Sequence, residues 1–168
     1  MTKQFEMLAQ YNSWMNERLF NICDSLGDDV RNKDMGAFFG SIHRTLDHIL
    51  YGDKAWLERL KDQAYTPRNI NTVLFENWDD LKKERFIVDN EIDVWVKSLD
   101  ENTLNQIHTY TSNVDGQQRS VPYWSLVHHL FHHQTHHRGQ LTTLLSQLGI
   151  DFGTTDIPFM PWLSEYKT

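Results

Sequence analysis

The sequence predicts an all-α protein: a four-helix bundle with a small hairpin insertion before the fourth helix and an irregular C-terminal tail. Three observations carry that prediction. Apolar side chains recur every three or four positions along four long stretches. The period lapses between the third and the fourth, where β-capable residues flank an Asp-Gly pair. Gly and Pro are scarce, 8 and 4 of 168 residues, so little of the chain is given to turns.

The first stretch runs from about Lys3 to Leu26. Phe5, Leu8, Tyr11, Met15, Leu19, Ile22 and Leu26 form its stripe, and Gly27 is placed to close it. The second runs from about Ser41 to Asp62 through Ile42, Leu46, Ile49, Leu50, Trp56, Leu57 and Leu60; Pro67 and the polar residues after it read as a loop. The third, from about Glu76 to Leu99, spaces Trp78, Leu81, Val88, Ile92, Trp95 and Leu99 for packing along another helix. Val-Asp-Gly-Gln at 114–117 then predicts the tight turn of a hairpin. Pro122 suits the first turn of the fourth helix, which continues to about Leu148 and stops at Gly149. In the tail, Ile157, Phe159, Met160, Trp162 and Leu163 are too apolar for a free segment, so it is expected to pack back on the body.

Length and a hydrophobic content of 39% are expected to give one domain, residues 1–168. The net charge is −7, and no Lys/Arg run exceeds Lys82-Lys83. Binding to nucleic acid or to anionic membrane needs clustered basic residues, so neither is expected as a partner. No apolar run reaches the roughly 18–20 residues of a membrane span. The N-terminus lacks a signal-peptide pattern, and a cytoplasmic location is expected. Cys23 is the single cysteine, which leaves no internal disulfide and no multi-cysteine zinc site.

The most unusual segment is "HHLFHHQTHHRGQ" at 128–140, which holds six of the nine histidines. With about 100° per residue and Leu126 at zero, Leu130, Leu141, Leu144 and Leu148 fall within about 60° and mark the buried face. His137 falls near about 20° and His133 near about 340°, so both point inward. His128, His132 and His136 lie on the far side, and His129 lies at the boundary. Two imidazoles four residues apart share one face. Burial favours their neutral forms, whose lone pairs suit a divalent metal. The opposing reading is a pair of hydrogen-bonded core histidines. A third ligand has to come from another helix, and His43 and His48, with Asp47 and Asp53 nearby, are the candidates. Ser41, Thr45, Gly52 and Ala55 leave room there for an imidazole against the fourth helix. Spacing does not choose between the two histidines.

The segments "FFGSIHRTLDHILYGDKAWLERL" (38–60) and "HHLFHHQTHHRGQLTTLLSQLG" (128–149) resemble the signature segments of the DinB/YfiT-like family of metal-binding bundles, and "LAQYNSWMNERLF" (8–20) is similar to its first helix. The resemblance covers nearly the whole chain. It is most specific where the histidine-rich segment runs into Arg-Gly-Gln. One departure is His132, where relatives often have Asn. The family is unrelated to the translesion polymerase of similar name.

The resemblance implies one divalent metal ion on His48 from the second helix and His133 and His137 from the fourth. Three neutral imidazoles suit zinc, nickel, iron or copper and leave a position open to water or substrate. Asp53 and Gln134 are candidate acceptors behind the ligands; Arg138 and Asp53 are equally candidates for a structural ion pair. Tyr11, Asn12, Tyr51 and Trp56 are candidates to line a pocket, against a plain core role. Relatives that act through bacillithiol, mycothiol or glutathione imply a metal-dependent, thiol-dependent transferase or isomerase acting on an electrophilic small molecule. The alternative is a non-catalytic metal-binding stress or sensor protein. Relatives often pair through helix faces, which implies a homodimer.

Overall fold

A computed structural model describes residues 1–61, 69–112 and 115–166, the last three by backbone alone. In chain order it contains α1 (Thr2–Asp24), a short α2 (Asp28–Arg31), α3 (Ile42–Leu60), α4 (Trp78–Lys97), a short α5 (Glu101–Leu104), β1 (Ile107–Thr111), β2 (Gln118–Pro122) and α6 (Tyr123–Gln147). Two 3-10 turns, Ile157–Phe159 and Pro161–Tyr166, shape the tail. The expected loop around Pro67 and the end of the second stretch at Asp62 lie outside the described residues, as does Val114 of the hairpin turn.

The four long helices form the bundle. α1 packs most closely along α4, and α3 along α6. Leu46, Ile49 and Leu50 of α3, Leu81, Val88 and Ile92 of α4, and Leu130, Leu141 and Leu144 of α6 meet Met15, Leu19 and Phe20 of α1 in one core. Burying each such side chain is worth about 1.5–3 kcal/mol. Side-chain caps set two starts: Ser41 Oγ accepts from Arg44 N (3.2 Å) and Asn77 Oδ1 from Asp80 N (3.0 Å). Trp78 Nε1 donates to Asp24 Oδ1 (2.7 Å), which ties the start of α4 to the end of α1.

Gly27 does not close α1. It is the extended N-cap of α2, and a Cβ there would meet Asp29 Oδ1 at 2.5 Å. Gly149, at φ 73°, does take the left-handed conformation just past α6. Pro122 sits one position before the first residue of α6. β1 and β2 pair antiparallel from Ile107↔Pro122 to Thr111↔Gln118. The tail folds back on α1: Tyr11 Oη donates to Thr155 O (2.7 Å), Arg18 Nη1 donates to Thr154 O (2.7 Å), and Met160 is buried, while Phe159 stays exposed. Among the described residues no helix is long and apolar enough to cross a membrane.

Charged and amide side chains from all four long helices meet in the bundle's interior. Arg85 of α4, 0% exposed, pairs with Asp53 of α3 and with Asp89 one turn along its own helix (2.9 Å). Asn12 and Asn16 of α1 each donate to Asp89 Oδ1 at 2.9 Å, and Gln134 of α6 donates to Asp53 Oδ1 at 2.7 Å. Arg138 of α6 donates to Asn12 Oδ1. Two guanidinium groups thus face two carboxylates. Burial pushes both carboxyl groups up, against the pull of Arg85, and pulls Arg138 down to about 10.

Candidate metal centre

α6 presents His133 and His137 one turn apart on the face toward α3, and α3 answers with His48. One ring nitrogen from each lies within 4.8 Å of the others, the only such group of three His, Cys, Asp or Glu donors among the described residues. Ring centroids are 4.4 Å apart for His133–His137, 4.6 Å for His48–His137 and 5.2 Å for His48–His133. A metal–nitrogen bond of roughly 2.0–2.1 Å sets each ring centre about 3.2 Å from the ion, so rings about 90–109° apart around it are separated by roughly 4.5–5.2 Å. The three spacings match that requirement.

Unsatisfied nitrogen atoms support the same fit. His137 Nδ1 lies 2.8 Å from Gln140 Oε1, which can only accept, so Nδ1 carries the proton and Nε2 is a lone pair. That Nε2 faces His133 Nε2 at 3.1 Å. Nδ1 of His133 and Nδ1 of His48 are buried with no hydrogen-bond partner. The facing Nε2 atoms of His133 and His137 suit an ion between them, whereas Nδ1 of His133 lies on the Gly52 side of its ring. Burial, reinforced by the neighbouring His137 imidazole, pulls His48 down to about 4 and His133 down to about 3. His137 is also lowered by burial. All three are neutral at pH 7 and offer lone pairs with little competition from protons.

Neighbouring groups hold the rings. Phe39 stacks on His48 at 3.8 Å and meets His137 edge-on at 5.4 Å. Gly52 makes room for His133: a Cβ there would lie 2.3 Å from Cε1 of that ring. The small residues of α3 do accommodate an imidazole, and it belongs to α6. Gln140 Nε2 also reaches His136 Nε2 at 3.4 Å.

A cleft of about 850 Å³ opens over His48 and His133. α3 lines it with Tyr51, Gly52, Ala55, Trp56 and Arg59, the hairpin with Tyr110, Ser112 and Arg119, and α6 with His129. Tyr110 meets Trp56 edge-on at 5.3 Å, and Trp56 meets His129 at 4.7 Å.

The other sequence candidates lie elsewhere. His43 is buried away from the trio, its Nε2 2.8 Å from Phe75 O. The hydrogen bonds of Asp53 and Gln134 run to Arg85 and to each other, and the acceptors against the trio are Gln140, on His137, and the backbone of Ile70, on His48. Arg138 bonds Asn12, while Asp53 finds its ion-pair partner in Arg85. Tyr11 and Asn12 face the tail and the buried ionic cluster; Trp56 and Tyr51 reach the cleft. Sequence reasoning missed Phe39, Gln140 and the hairpin's part in the cleft. Phe39 and Gln140 lie inside the two quoted segments, so a signal was present there without a rule to read it.

The DinB family model matches residues 1–168. The chain belongs to the DinB family. It is 26% identical to protein DinB of Bacillus subtilis, over 89% of this chain and 88% of that one. A crystal structure of a DinB-like protein from Bacillus cereus has the same fold, with a TM-score of 0.61 at 20% identity, over 84% of this chain and 90% of that chain. Within this DinB-family fold, three histidines from two helices form a group that could bind a metal ion.

Proposed function

We propose that this DinB-family protein is a metal-dependent enzyme that uses a low-molecular-weight thiol to transfer to, or isomerise, an electrophilic small molecule. One observation carries the reading. Three imidazoles converge within 4.8 Å, and two of them, His48 and His133, line a cleft large enough for a small substrate. A divalent ion held there would supply Lewis acidity and lower the pKa of a thiol or water.

The chain's own residues would do the rest. His48, His133 and His137 hold the ion through nitrogen alone, a donor set that suits zinc, nickel, iron or copper better than magnesium or calcium. Gln140 accepts from His137 Nδ1 and so fixes which nitrogen faces the ion. Phe39 packs against the rings of His48 and His137. Trp56 and Tyr110 offer flat apolar walls to an electrophile. The homodimer is kept within this proposal; exposed Ile87 and Val94 on α4 support it, and sedimentation of the purified chain tests it.

The test is to fill untagged protein with zinc, nickel or iron(II), count the ion by mass spectrometry, and assay conjugation of several small thiols with electrophiles. The expected result is one tightly held ion per chain, turnover with at least one thiol, and loss of both in His48→Gln. Full occupancy with no turnover across the thiols would reduce the reading to a metal-binding protein without catalysis. No ion at all would remove it.

A further inference from the structure

The histidines of α6 form two parallel rows. His129, His133 and His137 run along the cleft side. His128, His132 and His136 run one residue behind, and the metal centre does not use them. We propose that His128 and His132 form a second, solvent-facing site on α6 for a divalent copper, nickel or zinc ion.

The two rings lie four residues apart on one helix face, with centroids 6.0 Å apart and planes inclined by 32°. Two imidazoles can share an ion at any centroid separation up to roughly 6.4 Å, the limit reached when they bind from opposite sides. At 6.0 Å a shared ion would be seen at an angle of about 140°, so the exposed His132 ring has to turn toward His128 to reach an ordinary coordination angle.

The two rings differ in how they are held. His128 is half-buried, and its orientation is set by the edges of Phe5 (4.9 Å, 66°) and Trp124 (6.0 Å, 87°). His132 is exposed, and among the described residues its ring packs only on His128. One ligand is fixed in place and the other is free to turn, so only one side chain has to be ordered on binding. Burial and the neighbouring His132 also lower the pKa of His128, which keeps a lone pair available near neutral pH. No third His, Cys, Asp or Glu donor completes this pair among the described residues. Water fills the remaining positions. The pair binds more weakly than the buried trio and exchanges its ion with solvent faster. Nitrogen donors alone select copper(II), nickel(II) and zinc over magnesium and calcium.

The test uses untagged full-length protein with its buried centre filled with zinc, titrated with further zinc. Native mass spectrometry counts the ions, and nitrogen NMR of labelled histidine side chains reports which rings respond. The expected result is a second zinc equivalent that shifts His128 and His132 and leaves the trio unmoved. His132→Ala should weaken that second equivalent tenfold or more and keep the first. His48→Gln should lose the tight equivalent and keep the outer one, so the two sites fail independently. A single equivalent in the unaltered protein overturns the proposal. So does a second equivalent that persists in His132→Ala, or one whose shifts fall on His136 instead.

Discussion

Two polar clusters share α3 and α6, and they are built on opposite principles. On α6, His133 and His137 belong to the histidine trio, while the next residues, Gln134 and Arg138, belong to the buried ionic cluster about 100° around the helix. On α3, His48 goes to the first and Asp53 to the second. In the ionic cluster each carboxylate meets a guanidinium and an amide donor. In the histidine trio, two buried nitrogens meet nothing and a third faces another ring. The carboxylates of the first cluster find opposite charge within the fold, although Arg85 Nε and Gln134 Oε1 hydrogen-bond nothing. The second brings three ring nitrogens within 4.8 Å of one another, a group that could bind a metal ion.

The largest effect that sharpens this contrast should come from Arg85. Replacing it with Met strands the Asp53 and Asp89 carboxylates in the interior, where one-sided loss of a buried pair costs about 3–5 kcal/mol. Urea denaturation should show that loss, while the folded fraction keeps one ion per chain. A cost under about 1 kcal/mol would mean the ionic cluster does not hold the bundle together.

Gly52→Ala should act in the other direction. Glycine to alanine within a helix ordinarily gains roughly 0.5–1 kcal/mol. Here the added Cβ meets the His133 ring, so metal affinity should fall tenfold or more by competition with a chelating dye. Unchanged affinity would show that His133 has room to spare.

Gln140→Leu is a milder break. It removes the acceptor on His137 Nδ1 and should weaken metal binding about 10- to 100-fold. Gln140 is only half-buried, so stability measured by thermal melting should stay within about 1 kcal/mol.

The smallest effect should be that of pH on the metal-free protein. Burial holds His48 near 4 and His133 near 3 in the folded state. The unfolded chain, with ordinary histidines near about 6.5, binds more protons below that pH. The contribution is therefore fully present above about 6.5 and is lost as pH falls toward the folded-state values. Asp53 and Asp89, raised by burial, push the opposite way, so the difference between the unaltered chain and His48→Gln isolates the imidazole part. Urea midpoints should fall between pH 7.5 and 5, and fall less in His48→Gln.

Much of this arrangement could be read from residue spacing. The four stripes placed the long helices, and the facial count on α6 separated His133 and His137 from the other histidines. On α3 the same method failed, because most of that helix is buried on every side and no single face stands out. His48 and His43 are both inside, so spacing could not rank them. The ionic cluster had a signal that was passed over. Arg85 fills the gap between Leu81 and Val88 in the α4 stripe. A charge at a core position of a regular stripe predicts a buried partner on another helix. Phe39 and the hairpin wall join the site through contacts across the fold, which periodicity along one helix does not encode, whereas Gln140 reaches His137 from one turn along the same helix. The short helices α2 and α5 are too brief to show any period.

The double duty of α6 limits how the gene for such a chain can drift. Inserting one codon between Tyr123 and His133 would turn everything downstream by about 100° and swing the imidazoles toward the carboxylates; deleting one would swing Arg138 into the direction of His137. Both clusters would be lost in a single event. The strands just upstream face no such constraint. Their loop can lengthen, shorten or change its side chains while the helices stay in register, so the cleft wall can change there without disturbing the histidine trio.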